Sequence, residues 1–176
     1  MNYDLNVMRR YDNKKEINIF EFCQEMKNNH DSFDVYIGTD SQFIVGKTYY
    51  TTVIAFRFGN KGVRGIYRTL IETQNKLYLH EKKKKLKSSR IDRKKTHNNQ
   101  IYERLRRETE LSLETANHVK EFINIKQIDL DYNSKAVCLS NSVVAECLSL
   151  CNSYGFKASI KGQEQVATPF ADKKCK

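Results

Sequence analysis

Between Asp34 and Thr73 three runs of β-branched and aromatic residues follow one another, with only Gly46-Lys47 and Gly59-Asn60-Lys61-Gly62 between them. Nothing else in the chain constrains the fold as much, because strands joined by turns this short pair antiparallel with their sequence neighbours. The middle run, Thr48 to Phe58, is the clearest strand. The first spans about Asp34 to Phe43 and the third Val63 to Thr73. The periodicity then changes. From about Asn99 to Phe122, Ile101, Leu105, Ser112, Ala116 and Val119 trace one face of a long helix. Ile125 to Asp131 alternates as a strand, Leu139 to Cys151 reads as a helix closed by Gly155, and Phe156 to Ile160 is a short strand. Pro169 opens a last short helix. In front of the meander, Asn18 caps a helix whose Ile19, Phe22, Cys23 and Met26 share a face, whereas residues 1–15 carry no readable pattern. The order β-β-β-α-β-α-β-α predicts an α/β fold: a five-stranded mixed sheet, three strands antiparallel and then two parallel, flanked by helices. It divides into an N-terminal extension over 1–30 and one domain over 34–176, with a basic insertion at about 75–98.

The charge is placed as unevenly as the apolar residues. The chain carries a formal +10. Between Asn75 and Gln100 there are ten Lys and Arg against Glu81 and Asp92, so most of the excess sits in one segment. Lys82, Lys83, Lys84, Lys85, Lys87, Arg90, Arg93, Lys94 and Lys95 are therefore the candidate phosphate contacts, and a nucleic acid is the expected partner. The bland alternative for this run is a solvated lysine-rich loop. No stretch is apolar enough to span a membrane, and Met1 to Leu5 lack a signal pattern, which predicts a cytoplasmic protein. The five cysteines form no metal or disulfide spacing and read as free thiols.

The predicted topology brings acids together. Asp40 stands near the end of the first meander strand, in Val-Tyr-Ile-Gly-Thr-Asp-Ser-Gln, and Asp131 at the end of the fourth strand. If those two strands pair in parallel, both aspartates reach one edge of the sheet, where open α/β sheets bind ligands. Glu108 and Glu110 lie on the long helix, about 200° apart, so only one can point inward. Asp129 shares a strand face with Asp131 but is not at the strand end. Asp172 lies on the last helix. Taken singly, each acid has an ordinary explanation: the glutamates could pair with Arg104, Arg106 or Arg107, and Asp131 could start a turn. Crowded together, carboxylates need a cation, and hard oxygen donors suit Mg²⁺ or Mn²⁺.

The stretches Ile37-Gly38-Thr39-Asp40-Ser41-Gln42, Glu110-Leu111-Ser112-Leu113-Glu114 and Leu130-Asp131-Tyr132-Asn133 resemble the ribonuclease H-like superfamily, and within it the YkuK-type family. The resemblance covers about residues 34–176. It implies a metal-binding and catalytic set of Asp40, Glu110, Asp131 and Asp172 holding two Mg²⁺ or Mn²⁺ ions. It also implies a nuclease acting on RNA, an RNA–DNA hybrid or branched DNA. The rival expectation is a binding module of the same fold that holds nucleic acid with little or no hydrolysis.

Overall fold

The computed structural model describes residues 4–73, 90–132 and 140–175. The meander forms as expected: β3 (Asp34–Ile44), β4 (Lys47–Arg57) and β5 (Val63–Thr73) pair antiparallel along their whole lengths. β6 (Ile125–Leu130) lies parallel to β3, and β7 (Ala158–Ile160) parallel to β6. The predicted mixed α/β sheet is therefore present, with two strands added at its far edge. β1 (Val7–Arg10) and β2 (Glu16–Asn18) extend it to seven strands in the order β2-β1-β5-β4-β3-β6-β7. β1 reaches β5 through Arg9 opposite Tyr67 and Arg10 opposite Ile66. The N-terminal extension thus belongs to the same sheet, and Met8 enters the same core.

α1 (Ile19–Asn29) starts where the sequence places it: the Asn18 side chain accepts a hydrogen bond from the Phe20 amide at 2.9 Å. Ile19, Phe22, Cys23 and Met26 are its buried face. α2 (Arg90–Val119) begins nine residues before the expected start at Asn99 and ends three residues before Phe122. α3 (Ser140–Ser153) and α4 (Ala167–Cys175) complete the chain.

The helices cover both faces of the sheet. On one side α1, α2 and α3 build the main core with Val35, Ile37, Ile54, Phe56 and Ile128. On the other, α4 packs Ala167 and Ala171 against Tyr36, Val53, Ala55 and Tyr67. α4 lies so close that a Cβ on Gly38 would stand 2.9 Å from Thr168 Cγ2 and 3.0 Å from the Asp129 carbonyl oxygen. Glycine at this position lets the last helix sit directly on β3. Among the described residues no helix is long and apolar enough to cross a membrane.

Candidate functional site

Strand alternation sorts the side chains of β3 between the two helical layers. Thr39 and Ser41 face α2. Thr39 Oγ1 lies 2.8 Å from Ser112 Oγ and 2.9 Å from Thr52 Oγ1, and Ser41 Oγ donates to Glu108 Oε1 at 2.5 Å. Tyr36 and Gly38 face α4, alternation puts Asp40 on that side, and the charge of Asp172 on α4 reaches it.

Asp40 is held above its ordinary pKa chiefly by burial, and the charges of Asp131 and Asp172 raise it further. Its backbone hydrogen bond at Ser41 and the Arg104 guanidinium oppose the rise. Glu108 is only 3% exposed. Burial pushes its carboxyl up to about 8, with Asp40 and Asp131 adding to the rise. The Ser41 hydrogen bond and Arg104, whose Nε lies 4.0 Å from Glu108 Oε1, pull the other way. Asp40 on β3 therefore stands within electrostatic reach of Glu108 on α2, Asp131 at the end of β6 and Asp172 on α4, and Glu108 within reach of Asp131.

Of the two glutamates, Glu108 faces this cluster and Glu110 does not. Glu110 is 40% exposed and pairs with Arg106 at 3.3 Å and Arg107 at 3.4 Å. The helix face traced by Leu105 and Ser112 already held the signal. Glu108 is three residues after one and four before the other, whereas Glu110 lies off that stripe.

Asp129 and Asp131 separate just as clearly. Asp129 is fully buried, and its carboxylate accepts from the amides of Val166 and Ala167 at 2.6 Å each, from Gln127 Nε2 at 2.8 Å and from Ser159 Oγ at 3.1 Å. It fixes the start of α4, where unpaired amides and the helix dipole favour an anion. Asp131 lies just beyond β6, half-buried, with Lys161 Nζ at 3.3 Å. The next residue, Tyr132, is buried. Its hydroxyl lies 2.6 Å from Thr109 Oγ1 and donates to the Leu105 carbonyl, which ties the end of β6 to the turns of α2 that flank Glu108.

Of the predicted phosphate contacts, Lys82, Lys83, Lys84, Lys85 and Lys87 lie outside the described residues. Arg90, Arg93, Lys94 and Lys95 fall on the first turns of α2.

The donor chemistry of the cluster, four carboxylates with two held above their usual pKa by burial and mutual repulsion, fits a hard divalent cation. As the side chains stand, no group of three or more His, Cys, Asp or Glu among the described residues is close enough to hold one. Comparison with known proteins adds the family. No curated protein and no solved structure matches the chain. The model of the ribonuclease H-like family matches residues 87–176, a span that includes Glu108, Asp131 and Asp172. The chain belongs to the ribonuclease H-like family.

Proposed function

We propose that this protein is a divalent-metal-dependent nuclease that hydrolyses phosphodiester bonds in RNA, an RNA–DNA hybrid or branched DNA. The observation that carries the reading is that Asp40, half-buried on the sheet, feels the charges of Asp131 and Asp172, and that the buried Glu108 feels those of Asp40 and Asp131, although the four come from separate elements. These are the residues that would hold Mg²⁺ or Mn²⁺. When bound, two such ions supply an activated water and stabilise the leaving oxygen of the cleaved phosphodiester.

The chain's own contribution is to aim the carboxylates and set their charge. Ser41 fixes the rotamer of Glu108 from the sheet, and Tyr132 holds the end of β6 against α2. Arg104 supplies the positive charge that keeps Glu108 and Asp40 from rising further. The basic run from Lys82 to Lys95 would neutralise substrate phosphates, which makes binding fall steeply with salt.

The test is cleavage of a labelled panel of RNA–DNA hybrid, duplex DNA, four-way junction and single strands. Wild type and Asp40→Asn are compared with Mg²⁺, with Mn²⁺ and with a chelator. Metal-dependent cleavage that is lost in Asp40→Asn supports the reading. Salt-sensitive binding to the same panel with no cleavage by wild type replaces it with the non-catalytic binding module.

A further inference from the structure

β7 ends beside the last acid of β6, and the turn that follows it is fixed. The two strands run parallel with Leu130 opposite Ile160, so Lys161 leaves the sheet next to Asp131. The Lys161 amide donates to the Tyr132 carbonyl at 3.1 Å. Residues 160–163 then close a turn. The Gln163 amide donates to the Ile160 carbonyl at 3.1 Å, and the Ile160 amide donates to Gln163 Oε1 at 3.1 Å. Gly162, third in the turn, takes the positive φ of 97° that glycine supplies at this place. The backbone of Lys161 is thus pinned, while its side chain is 55% exposed and carries Nζ to 3.3 Å from Asp131 Oδ1.

Two arguments decide what this pair does. A partly exposed lysine–carboxylate pair is weak, because water screens it and a long side chain is ordered to make it. Asp131 is also one of the acids that would hold a divalent ion, and its charge reaches both Asp40 and Glu108. An ammonium and a divalent cation on one carboxylate repel each other, and the ammonium carries the smaller charge. The lysine is therefore the partner that gives way. Its stem is flexible, and its head is a point charge that follows an anion without a fixed geometry. On the nuclease reading, the anion that comes to the metal is a substrate phosphate.

We propose that Lys161 competes with the divalent metal for Asp131 and, once displaced, contacts a phosphate of the bound nucleic acid. One side chain then couples metal binding to substrate binding. The inference rests on the metal-dependent nuclease reading and adds to it a phosphate contact outside the basic run from Lys82 to Lys95.

Binding rather than cleavage tests it. Mn²⁺ affinity is measured by calorimetry. Affinity for a fluorescent RNA–DNA hybrid is measured by anisotropy, in Ca²⁺ and in a chelator. The proteins are wild type, Lys161→Met, Lys161→Arg and Lys157→Met, the last a control at an exposed position just before β7. Circular dichroism confirms that the variants are folded. Lys161→Met should bind Mn²⁺ about fivefold more tightly than wild type, whereas Lys157→Met should not. Lys161→Met should bind the hybrid about fivefold more weakly in Ca²⁺ yet match wild type in the chelator, and Lys161→Arg should keep the affinity in Ca²⁺. A purely structural pair would not move the two affinities in opposite directions. An unchanged Mn²⁺ affinity in Lys161→Met, a gain that Lys157→Met equals, or a loss of hybrid affinity that is the same in Ca²⁺ and chelator overturns the proposal. If wild type itself shows no saturable Mn²⁺ binding, the metal reading fails and the inference with it. Saturable binding that Lys161→Met leaves unchanged sinks the inference alone.

Discussion

Ser41 Oγ donates to Glu108 Oε1 at 2.5 Å, and through this contact the strand that carries Asp40 also positions the buried carboxyl of the long helix. Glu108 is buried, with its carboxyl pushed up to about 8. Removing the Ser41 hydroxyl leaves a buried acceptor without that donor. Ser41→Ala should therefore lower folding stability by about 1–3 kcal/mol, read by urea unfolding.

The same burial gives stability a pH dependence with a definite sign. Below about pH 4.5 Glu108 is protonated in both folded and unfolded chains. As pH rises toward 8 the unfolded chain ionises while the folded one holds its proton, so this group's contribution to stability falls across that window. Glu108→Gln cannot ionise. In a chelator it should unfold close to wild type at pH 5 and be more stable by roughly 2–4 kcal/mol at pH 8. A difference that stays constant with pH would contradict the burial of an ionisable Glu108.

Glu108 and Glu110 should separate in cleavage as they do in geometry. Glu108→Gln removes a carboxyl group that a bound metal would deprotonate and ligate, and is expected to lower metal-dependent cleavage by at least about a hundredfold. Glu110→Gln only loosens partly exposed pairs with Arg106 and Arg107 and should change the rate by less than about threefold. Rates measured side by side on one substrate decide the assignment.

Gly38 is where α4 meets β3. Adding a methyl group places it 2.9 Å from Thr168 Cγ2 and 3.0 Å from a carbonyl oxygen of β6 that pairing holds in place. Gly38→Ala should cost about 1–3 kcal/mol by thermal unfolding and, by displacing the helix that carries Asp172, should weaken metal binding as well.

Much of this was readable beforehand because the elements are long and regular. The meander announced itself through its β-branched runs and short turns, and the helix face of Leu105, Ser112 and Ala116 through its period. β1 and β2 are four and three residues long, too short for alternation to register, and exist because β5 offers them an edge. The early start of α2 was hidden for the opposite reason: residues 90–98 are almost entirely polar and lack an apolar stripe. At the site, Glu108 could have been chosen over Glu110 from its place on the Leu105–Ser112 stripe. The role of Asp129 could not, because its partners, the amides of Val166 and Ala167, lie far along the chain and meet it only through the register of β6 and the docking of α4.

That role makes Asp129 and Asp131 distinguishable although they are two residues apart. Asp129→Ala strips the acceptor from two buried amides, Gln127 and Ser159, and should cost about 3–5 kcal/mol. Asp131→Asn relieves repulsion beside Asp40 at the loss of one partly exposed pair with Lys161. It should leave stability within about 1 kcal/mol of wild type. Urea unfolding of the two variants together tests the division.

If Asp40, Glu108, Asp131 and Asp172 form one metal centre, calorimetric titration with Mn²⁺ detects it without any need for cleavage. Wild type, Asp40→Asn and Glu110→Gln would be titrated at low salt after chelator treatment. Saturable binding of two ions by wild type, lost in Asp40→Asn and retained in Glu110→Gln, is the predicted result. No saturable binding by wild type, or an isotherm that Asp40→Asn leaves unchanged, would contradict it.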